Sequence, residues 1–246
     1  MADFLLVHGA WHGAWCWRAV LPALTAAGHR AHAVTLTGVG ERSHLLHPAI
    51  TLETHIQDVE QAVRTEELAS AIVVGHSYAG MLITALADRQ SADLAHLVYL
   101  DAVVPAPGEA WGDTHSAATR AARLAGARAT SDFTIAPPDP AIFGLHGAQR
   151  DWVARRQTPH PAQPYSAPLQ FDPRRVAAVG RTFVSCLTPP LATIDPIRSR
   201  VRSATFWDGA WLPGSRVVEL RCGHDPMVSA PAVLVELLLD IAGAVT

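Results

Sequence analysis

Short apolar runs alternate with amphipathic stretches along the first hundred residues. Four apolar runs predict buried strands, and they cover residues 4–7, 29–35, 71–74 and 96–101. Three stretches have the residue spacing of helices, and they cover residues 15–27, 52–64 and 78–89. Strands that alternate with helices in this way predict an α/β fold with a mostly parallel sheet flanked by helices.

The segment from residue 106 to residue 178 has a different composition. It combines many prolines with the aromatic residues Trp111, Phe133, Phe143, Trp152, Tyr165 and Phe171. A stretch this long without strong strand signals is typical of a lid or of disorder, and the aromatic content argues against disorder. We therefore predict that residues 106–178, called the cap segment below, are inserted into a core made of residues 1–105 and 179–246. Strands at 182–187 and 215–220 and a helix at about 230–241 would complete that core.

The composition excludes several classes of function. The chain has 246 residues, of which 49% are hydrophobic and 17% charged, and its net charge is −3. No basic patch is available for nucleic acid, and no apolar run reaches the 18 residues that a membrane span needs. The N-terminus enters the first strand without a basic leader, so we expect a cytoplasmic protein.

Cysteine and lysine usage narrows the chemistry further. The three cysteines, Cys16, Cys186 and Cys222, lack the spacing of a metal or redox motif, and we expect them to be buried, with no metal site. All 19 basic residues are arginines. The absence of lysine excludes a lysine Schiff base and a phosphate-loop lysine.

Ser77 lies in a sharp turn between a predicted strand and a predicted helix. The residues around it read Gly75-His76-Ser77-Tyr78-Ala79-Gly80. Small residues on both sides let the helix pack close to the strand and expose the hydroxyl, as a serine nucleophile requires. The usual pattern has glycine two positions after the serine, where this chain has Ala79. We predict that Ser77 is a nucleophile.

Two backbone N–H groups are the candidates for an oxyanion hole. Acyl transfer places negative charge on the carbonyl oxygen, and such donors stabilise it by about 3–4 kcal/mol. One donor should belong to the residue after the nucleophile, which is Tyr78. The other should lie in the loop after the first strand, where His8-Gly9 leads to Ala10.

A serine nucleophile also needs a base and an acid. His224 lies in the loop after the last predicted strand and is the candidate base. We expect most of the other twelve histidines, which include His12, His44, His47, His55 and His115, to lie on the surface or in loops, and Asp225 to point away from the base. The acid usually follows the strand at 182–187, but residues 186–190 carry no carboxylate, and Asp195 lies further along that loop. Asp101, which ends an apolar strand, is favoured. Asp195 stays open as the alternative, as does another acid or none.

These motifs resemble those of the small α/β-hydrolases of the methylesterase and hydroxynitrile lyase group and of their bacterial carboxylesterase relatives. The resemblance rests on residues 8–17, 35–42, 75–80 and 223–225. It implies a Ser-His-acid triad, Ala10 and Tyr78 as oxyanion donors, and no cofactor. Some haloalkane dehalogenases, which share the fold, keep their acid where Asp101 stands. The hydroxynitrile lyases have threonine and lysine where this chain has Gly9 and Asp225, so the resemblance favours ester hydrolysis.

The leading hypothesis is a carboxylesterase that acts on a small apolar or aromatic ester through an acyl-enzyme. Trp11 and Trp111 are the candidate substrate-binding residues, although the cap aromatics could equally form a structural core. A lyase or cyclase on the same fold and a binding protein without turnover are the alternatives. We expect a small-molecule substrate as the partner, and a homodimer stays open.

Overall fold

The computed structural model describes residues 1–245, and its centre is a six-stranded parallel sheet. The strand order across this main sheet is β10-β9-β4-β3-β1-β2. The strands are β1 (Asp3–Val7), β2 (Arg30–Val34), β3 (Ala71–His76), β4 (Leu94–Leu100), β5 (Glu109–Ala110), β6 (Thr134–Ile135), β7 (His160–Pro161), β8 (Pro168–Leu169), β9 (Gly180–Cys186) and β10 (Ser215–Leu220). Every strand predicted for the core is present, with ends shifted by up to two residues.

Helices cover both faces of the main sheet. They are α1 (Val20–Ala26), α2 (Leu52–Thr65), α3 (Gly80–Gln90), α4 (Ala117–Arg128), α5 (Gly147–Ala154), α6 (Gln163–Ser166), α7 (Pro173–Ala177), α8 (Asp195–Arg200), α9 (Pro226–Ser229) and α10 (Pro231–Val245). None of the helices in residues 1–245 combines the length and the apolar character needed to span a bilayer.

The single helix predicted over residues 15–27 is wrong. The chain forms a short 3-10 helix at Ala14–Trp17 and then the separate helix α1. Pro22 explains the break, because proline lacks a backbone N–H and is tolerated only in the first turn of a helix. With Pro22 as its third residue, α1 cannot be continuous with the turns before it.

Side chains of the sheet alternate between two hydrophobic layers, as the twofold period of a strand requires. Phe4, Leu6 and Ile72 pack on one face, in a cluster that includes buried residues of α1 and α10. Leu5 and Val73 pack on the other face, in a cluster that includes buried residues of α2 and α3. The sheet is therefore covered on both sides, as is usual for parallel sheets.

The cap segment contributes no strand to the main sheet within the described residues. It contains α4 to α7 and two small antiparallel ladders, β5 with β8 and β6 with β7. Its buried side chains, including Phe143, Leu145 and Tyr165, belong to the same hydrophobic cluster as Leu5 and Val73 of the sheet. The division of the chain at residues 105 and 179 stays a prediction.

Candidate active site

Ser77 is the first residue after β3, at the carboxyl edge of the main sheet. Its backbone has a φ of +55°, and a 3-10 turn at Ser77–Ala79 leads directly into α3. A positive φ is uncommon for a residue with a side chain and marks a strained position held by its surroundings. A Cβ at Gly75 would lie 2.9 Å from the Ala79 carbonyl oxygen, so only glycine fits before this turn.

His224 lies beside Ser77, in the loop that follows β10. Its Nε2 is 3.0 Å from the Ser77 hydroxyl oxygen, and its Nδ1 is 2.7 Å from Oδ2 of Asp101. Because a carboxylate can only accept, Nδ1 carries the hydrogen, which leaves Nε2 free to accept from Ser77. The imidazole is 2% exposed, so its contacts are formed away from bulk water.

Asp101 directly follows β4 and is fully buried. Its Oδ1 accepts from the backbone N–H of Cys186 at 3.1 Å, and its backbone has a φ of +42°. The structure brings this carboxylate to His224. By contrast, the Asp195 side chain is 61% exposed and pairs with Arg198.

Arg198 of α8 holds the buried Asp101 carboxylate. One guanidinium nitrogen contacts both carboxylate oxygens, at 2.7 and 3.0 Å, and also donates to the Cys186 carbonyl. The remaining donors reach Ser185, the Leu191 carbonyl and Asp195. Sequence reasoning missed this residue, because nothing local links Arg198 to a carboxylate 97 residues away.

The loop after β1 runs against the serine. A Cβ at Gly9 would lie 2.8 Å from the Ser77 Cβ, so the backbone at this point approaches the hydroxyl closely. His8 fixes the start of the loop, since its Nε2 accepts from the Leu36 N–H and its Nδ1 therefore donates to the Gly9 carbonyl. Burial lowers the pKa of His8 to about 3 and keeps it neutral. Ala10 follows directly and is buried.

Tyr78, the residue after the serine, is held by a buried histidine. The Tyr78 hydroxyl lies 3.1 Å from Nδ1 of His55, whose Nε2 donates to the Thr37 carbonyl oxygen at 2.9 Å. Burial lowers the pKa of His55 to about 4 and raises that of Tyr78 well above its ordinary range. His55 is an exception to the expectation that most histidines lie at the surface or in loops, because its buried side chain joins α2 to the turn at Ser77.

Trp11 and Trp111, predicted to bind substrate, lie in an aromatic cluster next to Tyr78. Their ring centroids are 6.0 Å apart, and the Tyr78 ring is 4.9 Å from that of Trp111. The guanidinium of Arg123 from α4 lies 5.4 Å from the Trp11 ring and 5.8 Å from the Trp111 ring. Trp11 also bonds to the cap through its indole N–H, which donates to the Ile135 carbonyl oxygen at 3.0 Å. The cluster places apolar surface from the core and from the cap together.

His12 and Asp225, the residue after His224, form a buried ion pair. The His12 Nε2 is 3.0 Å from Oδ2 of Asp225, and neither side chain is more than 1% exposed. Burial alone would raise the pKa of Asp225, but the neighbouring His12 outweighs it and lowers that pKa to about 2. His12 lies in a loop, in line with the expectation for most of the histidines, but it is buried. Asp225 does point away from the Nδ1 of His224.

Two further groups of side chains bear on metal and redox chemistry. Ligand atoms of His76, His224 and Asp225 lie within 4.8 Å of one another. His224 already bonds through both ring nitrogens and Asp225 is paired with His12, so we assign no metal to them. The three cysteines are free and buried, as predicted.

The strand order, the turn at Ser77 and the contacts of His224 together define the class of protein. The chain belongs to the alpha/beta hydrolase family, whose model matches residues 4–237. The predicted α/β-hydrolase fold is thereby confirmed.

Relatives narrow this assignment to a type of enzyme. A carbendazim hydrolyzing esterase from Nocardioides sp. (strain SG-4G) is 42% identical over 247 residues, which cover 97% of this chain and 98% of the relative. Methylesterase 3 of Arabidopsis thaliana is 27% identical over 97% of this chain and 95% of its own. The fold of an extracellular alpha/beta-hydrolase from a Paenibacillus species matches with a TM-score of 0.81 at 20% identity, and 98% of each chain is covered. The protein is a carboxylic ester hydrolase.

Proposed function

We propose that the protein is a serine esterase in which Ser77 is the nucleophile, His224 the general base and Asp101 the acid. The observation that carries the proposal is the continuous chain of hydrogen bonds, 3.0 Å from Ser77 to His224 and 2.7 Å from His224 to Asp101. A serine hydroxyl is a weak nucleophile by itself, and an adjacent, oriented base activates it.

The proposed reaction has two halves. Ser77 Oγ attacks the ester carbonyl carbon while His224 Nε2 takes the hydroxyl proton, and Asp101 stays ionised beside the imidazolium. The N–H groups of Ala10 and Tyr78 donate to the oxyanion. His224 returns the proton to the leaving alcohol, which leaves an acyl group on Ser77. Water then attacks the acyl-enzyme by the same route in reverse and releases the carboxylic acid.

A small apolar or aromatic ester is the proposed substrate. The support comes from Trp11 and Trp111, whose rings lie 6.0 Å from each other, with the Trp111 ring 4.9 Å from that of Tyr78. The name of the 42% identical relative makes carbendazim the first compound to assay. Cyanohydrin cleavage is disfavoured, because the hydroxynitrile lyases that the sequence resembles have threonine where this chain has Gly9. A side chain at this position would collide with His76 and Ser77. The cytoplasmic location and a homodimer stay predictions.

The proposal is tested by hydrolysis of p-nitrophenyl acetate and butyrate, together with labelling by a fluorophosphonate. Ser77→Ala should lower turnover by about 10⁶-fold and abolish labelling. A wild type that is not labelled at Ser77 would exclude an activated nucleophile. Labelling without turnover of any ester, carbendazim included, would point instead to a lyase or cyclase reaction.

The acid is tested with two matched variants in the same assays. Asp101→Asn should lower kcat by about 10⁴-fold, because the amide favours the wrong tautomer of His224. Asp195→Asn should stay within about threefold of wild type, because the Asp195 side chain is 61% exposed and an ion pair at such a position contributes little. The reverse order of effects in folded variants would assign the acid to Asp195.

A further inference from the structure

His12 is hydrogen-bonded at both ring nitrogens while buried. Its Nδ1 lies 2.8 Å from the Ala10 carbonyl oxygen, and its Nε2 lies 3.0 Å from Oδ2 of Asp225. A carbonyl oxygen and a carboxylate can only accept hydrogen bonds. Both nitrogens must therefore donate, and the side chain is an imidazolium. The charges around it agree, since burial lowers the pKa of His12 but the Asp225 carboxylate more than offsets that and raises it.

The first loop held by this imidazolium is the one that carries Ala10. Ala10 is followed by Trp11, whose φ of +66° is a strained backbone conformation for a residue with a side chain. Two contacts restrain Trp11 from the cap side, where its carbonyl accepts from the Thr158 N–H and its indole donates to the Ile135 carbonyl. His12 supplies the restraint from the core side, on the peptide between Ala10 and Trp11.

The second loop is the one that carries the base. Asp225 directly follows His224, so the bond from His12 fixes the backbone next to the imidazole. His76 holds the same segment, because its Nε2 donates to the His224 carbonyl oxygen at 2.9 Å and lies 3.5 Å from Oδ1 of Asp225. His76 itself is neutral, since burial lowers its pKa well below its ordinary value. The positive charge beside Asp225 is thus the one on His12.

We propose that the His12–Asp225 ion pair is a positioning device. It holds the loop that carries Ala10 and the loop that carries His224 in a fixed position relative to each other. This inference rests on the proposed function of Ser77, His224 and Ala10. Neither His12 nor Asp225 touches the reacting atoms. They act through Ala10 and His224, so their loss should weaken transition-state binding more than substrate binding.

The test compares His12→Gln with Asp225→Asn. The imidazolium of His12 carries its two N–H donors on opposite sides of the ring. Glutamine carries both donors on one nitrogen and cannot reach the two acceptors together, so His12→Gln breaks the bridge. Asp225→Asn keeps both hydrogen bonds around a neutral imidazole, with Nδ1 donating to Ala10 and Nε2 accepting from the amide. His96→Gln is the matched control, because His96 is a half-buried histidine that bonds to Thr182, outside the site.

Three quantities are measured for each variant: kcat and KM with p-nitrophenyl butyrate, the inhibition constant of an alkyl trifluoromethyl ketone, and Tm. His12→Gln should lower kcat by about 10²-fold with KM within about threefold, and weaken the ketone by the same factor as kcat/KM. Asp225→Asn should lower kcat by less than about tenfold. The double variant should be no worse than His12→Gln, because the two residues form one device. His96→Gln should keep wild-type kinetics.

Several outcomes would overturn the inference. Wild-type kcat in folded His12→Gln, or additive losses in the double variant, would show that the pair does not position the loops. A loss of kcat without loss of ketone affinity would do the same. If His12→Gln fails to fold, Asp225→Ala takes its place in the test. We expect it to lower kcat by at least about tenfold. Labelling of wild-type Ser77 by a fluorophosphonate separates these results from failure of the proposed function, which would abolish labelling altogether.

Discussion

At the scale of single residues, the most consequential contact is the one between Arg198 and Asp101. Both side chains are buried, and the carboxylate binds an arginine and the candidate base together. An isolated buried carboxylate would be expensive, whereas one that is paired and fully hydrogen-bonded is tolerated. Arg198 thus explains how an ionised acid can occupy the end of an apolar strand.

Replacing Arg198 should affect stability and activity together. Arg198→Met leaves the Asp101 charge buried and the Cys186 carbonyl without its partner, so we expect a loss of about 3–5 kcal/mol in the free energy of unfolding. With Asp101 less firmly oriented, kcat should fall by roughly 10- to 100-fold, less than in Asp101→Asn. Urea unfolding and p-nitrophenyl butyrate hydrolysis measure the two effects.

Arg202→Met is the control for this prediction. Arg202 pairs with Glu219 at the surface, where both side chains are about half exposed, so its loss should change the free energy of unfolding by less than about 1 kcal/mol. Equal effects of the two variants would mean that Asp101 does not depend on its arginine.

At the scale of secondary-structure elements, the turn from β3 to α3 depends on how closely α3 approaches the chain after β4. A Cβ at Gly80 would lie 1.8 Å from the Val103 carbonyl oxygen, which no side chain could tolerate. The Val103 N–H also donates to the Ser77 carbonyl at 2.9 Å, so Val103 fixes the backbone of Ser77 as well. This explains why the motif keeps Gly80 although Ala79 replaces the usual glycine.

Two glycine substitutions in helices should therefore change the free energy of unfolding in opposite directions. Gly80→Ala forces α3 away from Val103, and we expect a loss of at least about 2–3 kcal/mol in stability and of most activity. Gly126→Ala in α4 places a methyl group where nothing lies within 4 Å, and it should stabilise by about 0.5–1 kcal/mol. Thermal unfolding of both variants checks this, and a harmless Gly80→Ala would contradict the close packing.

At the scale of the whole molecule, buried neutral histidines dominate the response to acid. His8, His55, His76 and His160 are fully buried, and burial lowers the pKa of each, to about 3 for His8 and about 4 for His55. The unfolded chain would protonate all of them below pH 6.5, so it binds more protons than the folded protein and is favoured as the pH falls. His12 has the opposite sign, because its raised pKa adds stability that is lost above pH 6.5.

We predict a steep loss of stability between pH 6.5 and pH 5. Each such histidine contributes about 1.4 kcal/mol per pH unit, so urea unfolding across this range should show a slope of several kcal/mol per pH unit. His160→Phe should reduce the slope by the contribution of one histidine, about 1.4 kcal/mol per pH unit. The substitution removes no hydrogen bond, because neither ring nitrogen of His160 has a hydrogen-bond partner within the described residues. A flat pH profile would mean that these histidines are protonated in the folded state.

Features of this molecule that depend on neighbouring residues could be predicted from the sequence, whereas most contacts between residues far apart in the chain could not. Strands and the turn at Ser77 depend on local periodicity and small residues, so they could be located before the structure was known. The nearness of Asp101 and His224 to Ser77 follows from parallel strands, whose carboxyl ends share one edge. The partners of Arg198 and His12 could not be inferred, because charged or polar residues look alike in sequence whether they are solvated or paired in the interior.

The shared hydrophobic cluster of sheet and cap bears on how the cap segment can move relative to Ser77. Phe143, Leu145 and Tyr165 of the cap segment pack in the same cluster as Leu5 and Val73 of the sheet. Swinging the cap away as a rigid lid would expose that surface to water, at a cost comparable to partial unfolding. A substrate that reaches Ser77 while this cluster stays intact would therefore need only local rearrangement of the chain around the site, and not displacement of the whole cap segment.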